Sequence, residues 1–324
     1  MKGRKTASLS CVKKKQETGG ILYGFLGVLG FSLTLPATRF SVDYFGPTMI
    51  GLGRAVVAAV LAGIVLFARK EKLPTYTQIK GLVLVAIGVI IGFPLLSAWA
   101  MGRLPAVHGA VVLALLPLAT AGAAVLRAGE RPSRGFWLAS IAGCLSVLGY
   151  AVYSGLGSLH TEDFALLGAV VAAAFGYAEG GKLSRVLGGW QVIAWALVVA
   201  APFLVIPVIV TFPMKALTAP PQVWGSFAYL SIGSQFLAFI AWYNGLAVGG
   251  VARVSQLQYL QPFLTIVWSA ILLGERITIT TVGTALIIVI SVVLGRKASV
   301  ASTSPQGSSA SPQEKDIPPH PTSS

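Results

Sequence analysis

Five hydroxyl and amide side chains interrupt one of the most apolar stretches of the chain. In VARVSQLQYLQPFLTIVWSAILLGERI, residues 251–277, Ser255, Gln258, Gln261, Thr265 and Ser269 recur at steps of three and four, with Pro262 on the same strip. On a helix that spacing puts them on one face, bordered by Tyr259. None of these groups is a strong acid, base or nucleophile. What they can do is exchange hydrogen bonds with a polar solute, and Pro262 would leave one backbone carbonyl without its amide partner. The competing use is hydrogen bonding between neighbouring helices.

Charged candidates are few. Of ten acidic residues, Glu17, Glu71, Glu314 and Asp316 lie in polar segments, and Asp43, Glu162 and Asp163 fall at the ends of apolar runs. Glu179, in GYAEGGKLSR, is the one acid inside a run. It reads either as a coupling or recognition carboxylate or as the partner of Lys182, three residues on along the same face. The adjacent Gly180 and Gly181 would loosen that helix or admit a close neighbour. Arg54, in GLGRAVVAAVLAG, would draw an anionic solute group or bond carbonyls at a helix end. Trp99, Trp242 and Tyr177 would add aromatic walls to a solute path or anchor span ends at the membrane interface.

These residues must be positioned by elements that live in lipid. The 324 residues are 55% hydrophobic and only 10% charged, where a soluble domain carries about a quarter charged. Runs of roughly twenty apolar residues, enough to cross a hydrocarbon core, occur at 20–39, 47–68, 79–101, 106–126, 136–155, 164–184, 190–212, 223–246, 252–273 and 278–295. The sequence thus predicts an all-α membrane protein of ten transmembrane helices, because lipid-facing backbone must bond internally. The first run is long for a signal peptide and lacks a small-residue cleavage site, so it reads as a retained span.

The net charge of +14 reflects topology and not nucleic acid. One set of segments between spans carries nearly all the Lys and Arg, from Lys2 to Lys15, around Arg69–Lys80, Arg127–Arg134, Lys182–Arg185, Arg253 and Arg296–Lys297. The other holds only Arg39, Arg103, Lys215 and Arg276. The positive-inside rule makes the first set cytoplasmic, with both termini inside a cell membrane. Residues 1–19 form a basic cytoplasmic segment, and the Ser/Pro-rich stretch 298–324 reads as a disordered tail.

The break GER, after the span ending near Leu273, also occurs after the span ending near Arg127. Pro117 and Glu130 stand as far apart as Pro262 and Glu275, and Thr120 falls on Thr265, all at an offset of 145 residues. At nearly the same offset Gly30 falls on Gly176. A five-span unit is therefore written twice, over 20–155 and 163–297, and an odd number of spans inserts the copies with opposite orientation. Glu130 and Glu275, each after a helix-ending Gly, read as carboxylates favouring the N-terminus of the helix that follows.

Ten spans in two halves, with Pro and then Gly-Glu-Arg closing the fourth and ninth, resemble the EamA family of the drug/metabolite transporter superfamily. Arg54 matches an arginine that family often shows in its second span. The resemblance covers about residues 20–297 and implies a carrier of amino acids or other small metabolites, often an exporter; the inverted repeat itself points to alternating access.

A membrane-embedded enzyme would need clustered His, Cys or acidic residues. The three His, at 108, 160 and 320, and the two Cys, at 11 and 144, are scattered. GYAEGGKL lacks the final hydroxyl of a phosphate-binding loop. No cofactor is expected; the expected partners are the bilayer, a small solute and coupled protons. A non-transporting receptor is the other rival, and the inverted repeat argues against it.

Overall fold

The computed structural model of the chain describes residues 18–129 and 161–279, with scattered positions within 134–145 and 282–290. Most of the fifth and tenth apolar runs, together with Glu130, lies outside the described residues. The regular structure of the described residues is all helical, with no strand. Among the described residues six helices are long and apolar enough to cross a membrane, the first of them 51 residues in length.

That first helix is two elements joined at a break. Helix α1 (18–32) runs almost directly into α2 (Thr34–Thr48), where Gly46 adopts φ 71° and ψ 163° just before Pro47. A left-handed φ is cheap for glycine, and the proline ring cannot continue a helix behind it. The helix therefore continues past Arg39, where the apolar run ends, and carries Arg39 and Asp43 as an i,i+4 ion pair at 3.3 Å. A π-helical segment, Met49–Gly53, leads into α3 (Arg54–Ala68).

The next crossing joins α4 (Tyr76–Val85), a π-helical segment Ala86–Gly92 and α5 (Phe93–Met101). It is followed by α6 (Ala106–Leu113) and α7 (Leu116–Ala128). The second half opens with α8 (Thr161–Leu187) and α9 (Gly189–Val210). A crossing of α10 (Pro221–Ala228), π segment Tyr229–Ala238 and α11 (Phe239–Gly249) comes next. The last described crossing is α12 (Val251–Ser255), a 3₁₀ segment Gln256–Leu260 and α13 (Gln261–Leu273).

The repeat is visible in these bounds. Elements begin at Tyr76 and Pro221, at Ala106 and Val251, and at Leu116 and Gln261, and end at Ala128 and Leu273, each pair 145 residues apart. Both copies then stop on a left-handed glycine, Gly129 at φ 65° and Gly274 at φ 66°. The copies meet head to tail: α6 packs on α13, and α7 on α12. An antiparallel pairing of equivalent helices is what a twofold relation across the repeat produces.

Helix α8 is the hub, packed against α4, α5, α6, α7, α9 and α11. Small residues on it and on its neighbours allow this. A Cβ on Gly88 would meet the Ala172 carbonyl oxygen at 2.5 Å, and one on Gly180 would meet the Tyr243 ring at 2.2 Å. Close approach is thus what Gly180 provides. Phe203, Ile206 and Val210 point outward from α9 and are largely exposed, as side chains solvated by lipid tails are.

Candidate functional site

A narrow cavity of about 10 Å³, room for about one water-sized sphere, lies between the halves. Arg54, Val89, Phe93 and Leu113 line it from the first half, Tyr177, Ser234, Gln235, Phe239 and Gln261 from the second, with Phe31, Thr34 and Leu35 at the side of α1 and α2. All three π-helical segments border it. Arg54 directly follows the first, Val89 lies within the second, and Ser234 and Gln235 lie within the third. A π turn widens the helix and displaces the i→i−4 ladder, a distortion common at functional sites.

The polar groups of this cavity are poorly matched to one another. Arg54 is 2% exposed, yet its Nε and Nη1 have no hydrogen-bond partner. None of the ion pairs among the described residues includes it. Its electrostatic neighbours are the phenols of Tyr177 and Tyr229, and the Tyr229 hydroxyl donates to the Gly30 carbonyl. The expectation that Arg54 bonds carbonyls at a helix end is not met by these two nitrogens. Gln261 Oε1 is unpartnered, as are both amide atoms of Gln258, which lies outside the cavity lining. Tyr177 lies near enough to Gln258 to interact with it, without completing a hydrogen bond to either atom. Gln235 Nε2 donates to the Val89 carbonyl at 3.3 Å, and Thr34 and Ser234 share a hydrogen bond of 2.7 Å.

The polar strip of residues 255–269 divides into two kinds. All five members are buried, but the hydroxyls are satisfied by backbone. Ser255 donates to Ala252 O at 3.1 Å, Thr265 to Ser32 O at 2.7 Å and Ser269 to Thr265 O at 2.9 Å. The glutamines are not satisfied, and Gln261 reaches the cavity. Tyr259 turns away and packs with Val111 and Ala114. The strip is also not one helix, since 3₁₀ geometry over Gln256–Leu260 precedes Pro262.

The aromatic candidates separate as well. Tyr177 and Trp242 join Phe31 and Phe239 in one cluster, with Tyr177–Trp242 centroids 5.4 Å apart and Phe31–Phe239 4.8 Å apart. Trp99 sits elsewhere, beneath the Arg103 guanidinium at 5.2 Å near the end of α5, as an interfacial anchor would.

Glu179 does not line the cavity. Its Oε2 accepts from Arg127 Nε at 2.9 Å and its Oε1 lies 3.7 Å from Lys182 Nζ. Nor is it alone in its helix, because Thr161–Leu187 begins with Glu162 and Asp163 in its first turn, where carboxylates favour the N-terminus. Glu162 pairs with Arg103 at 2.7 Å, and Asp163 with His108 at 2.6 Å. Glu275 also departs from expectation. Its two oxygens accept from the amides of Ala106 and Val107, each at 3.0 Å, so it caps α6 of the other half instead of the helix that follows it. Among the described residues no group of three metal-ligating side chains occurs.

Gln235, Phe239, Phe31 and Thr34 were not singled out from sequence. SIGSQFLA, a polar pair inside an apolar run, carried a signal for Gln235; the two Phe carried none, because apolar residues at helical spacing look alike wherever they point.

Comparison with known proteins matches the EamA-like transporter family to residues 18–152 and again to 160–295. The chain is 43% identical over 285 residues to the uncharacterized transporter YdeK of Bacillus subtilis (strain 168), covering 87% of this chain and 98% of that one. A second relative from the same organism, the uncharacterized transporter YyaM, is 25% identical over 283 residues, covering 83% of this chain and 92% of that one. A protein of known crystal structure shares the fold at TM-score 0.68 and 18% identity, over 86% of this chain and 98% of its own. Two family matches in tandem, on the two halves that the helix bounds repeat, make this chain a member of the EamA-like transporter family of the drug/metabolite transporter superfamily, a multi-pass membrane protein.

Proposed function

We propose that the chain is a ten-helix carrier that moves a small metabolite, an amino acid or a related compound, out of the cell by alternating access. The observation that carries this reading is the cavity between the halves, where each half contributes buried polar groups with no protein partner, Arg54 from one and Gln261 from the other. A buried polar group left unsatisfied is costly, and a solute entering between two repeats would relieve it. Substrate sites at the interface of inverted repeats follow this plan.

In this reading residues 20–155 and 163–297 are inverted five-helix repeats, 1–19 and 298–324 are cytoplasmic, and the solute leaves chemically unchanged. The basic segments support the orientation. Gln258, Gln261 and Tyr177 contact the solute path, and Glu179 is a candidate for proton coupling.

Flux in proteoliposomes loaded with labelled amino acids tests the function. A carrier accelerates exchange of at least one solute recovered unmodified; a modified product would favour a membrane enzyme, and bound solute without flux a receptor. A reporter active only outside the membrane, fused after Lys297, should be silent, and activity there would reverse the orientation.

A further inference from the structure

We infer that Arg54 and Gln261 together form a binding site for a small monocarboxylate that carries a hydrogen-bond donor, with Arg54 as the anchor for the carboxylate. The inference rests on the reading of the cavity as a solute site and specifies what that solute must present.

Arg54 is the starting point. A guanidinium keeps its proton across the physiological range, so burial cannot be relieved by neutralisation. Yet among the described residues no acidic side chain lines the cavity, and Arg54 belongs to no ion pair. Elsewhere among the described residues, buried charges are matched. Glu179, Glu162 and Asp163 each have a partner within 3.0 Å. Leaving a buried charge unmatched is strongly unfavourable, and the missing partner is an anion that comes and goes.

The charge count selects the anion. Among the described residues the lining holds one cation and no second Lys or Arg, which balances a monoanion and leaves a phosphate ester with excess negative charge. A planar guanidinium also matches the two oxygens of a carboxylate. The remaining vacancy in hydrogen bonding is an acceptor, Gln261 Oε1, which calls for an N–H or O–H on the ligand. Phe31, Phe93, Phe239 and Leu35 supply apolar walls. An α-amino acid or α-hydroxy acid with an apolar side chain meets all three requirements. With no carboxylate available for an ammonium group, the negative end of the ligand governs recognition.

The test uses the full chain purified in nanodiscs and follows its thermal midpoint. The probes are lactate, 2-hydroxy-4-methylpentanoate and 3-phenyllactate, each beside its neutral amide, with phenethylamine and phenyl phosphate as a cation and a dianion. At least one carboxylate should raise the midpoint by about 2 °C or more at saturation, and its amide should not. The response should vanish in Arg54→Gln and weaken in Gln261→Leu. No response to any carboxylate, an equal response to the amides, or a larger response to phenethylamine or phenyl phosphate would each overturn the assignment. These arms need only the wild-type protein, so a variant that fails to accumulate does not block the decision. Flux separates the two readings. Carboxylate binding without flux would defeat transport and leave the anchor standing. Flux of a neutral or cationic solute that persists in Arg54→Gln would defeat the anchor and leave transport standing.

Discussion

The two ends of the helical bundle and its centre treat polar groups in opposite ways. At one end Arg103 pairs with Glu162, His108 with Asp163, and Glu275 caps Ala106 and Val107. At the other, about 25 Å further along α8 by the rise per residue, Glu179 is held by Arg127 and Lys182. In between, Arg54, Gln258 and Gln261 are buried with donors and acceptors unmatched. The charged groups at the ends find their partners within the protein, whereas these central groups are left short of one. The same contrast runs through a single strip, where Ser255, Thr265 and Ser269 bond backbone and the two glutamines do not.

If that contrast is functional, the central substitutions should have the largest effects. Gln261→Leu removes an unsatisfied acceptor that faces the cavity and should lower flux about tenfold or more, the worth of one hydrogen bond to the solute. It should leave protein level unchanged. Gln258→Ala should lower flux less, since Gln258 is not among the cavity-lining residues. Thr265→Val should lower protein level and spare flux, because its hydroxyl serves Ser32 O. Normal flux in both glutamine variants would break the comparison and make the strip interhelical packing.

Intermediate effects belong to Glu179. Arg127→Met takes away its nearer partner and should reduce stability by on the order of 1–3 kcal/mol, as expected when a buried acceptor loses its donor. Lys182→Met removes the partner at 3.7 Å and should do less. Glu179→Gln distinguishes the roles. A structural ion pair predicts a lower protein level that Glu179→Gln combined with Arg127→Met restores, with pH dependence of flux intact. A coupling carboxylate predicts normal level with pH-dependent flux abolished.

The smallest effect concerns Glu275. Glu275→Ala would strip the cap from α6 at a cost of about 1 kcal/mol, read as a lowered thermal midpoint. A midpoint unchanged from wild type would show that the tie between the halves is unimportant to stability.

Much of this arrangement was legible in the sequence, and the limits have physical causes. The repeat could be read because Pro117 and Pro262, and the two Gly-Glu-Arg breaks, preserve spacing, and the helix bounds keep that spacing. Burial of Ser255, Gln258, Gln261, Thr265 and Ser269 on one side followed from their steps of three and four. The partner of Glu179 did not follow, because Arg127 lies on α7, distant in sequence, and an i,i+3 rule finds only Lys182. Glu275 was expected to serve the next helix, whereas antiparallel packing of the copies brings α6 to it instead. The break at Gly46 and the π segments were also hidden, since hydropathy does not register a change in hydrogen-bond ladder.

The three π segments have a consequence for how this chain can change length. A π turn accommodates one additional residue while the helix on either side keeps its angular phase. Losing one residue from Ala86–Gly92 would let that stretch revert to an α-helix, with Phe93 and Ser97 still facing inward. The same loss within Gly189–Val210 would swing everything beyond it by about 100°, carrying Leu204 and Val208 from the core toward lipid. The walls of the cavity are therefore where the loss of a single residue does the least damage to the scaffold. A descendant of this sequence that lost one residue from a π segment would reshape the cavity wall without refolding the bundle around it.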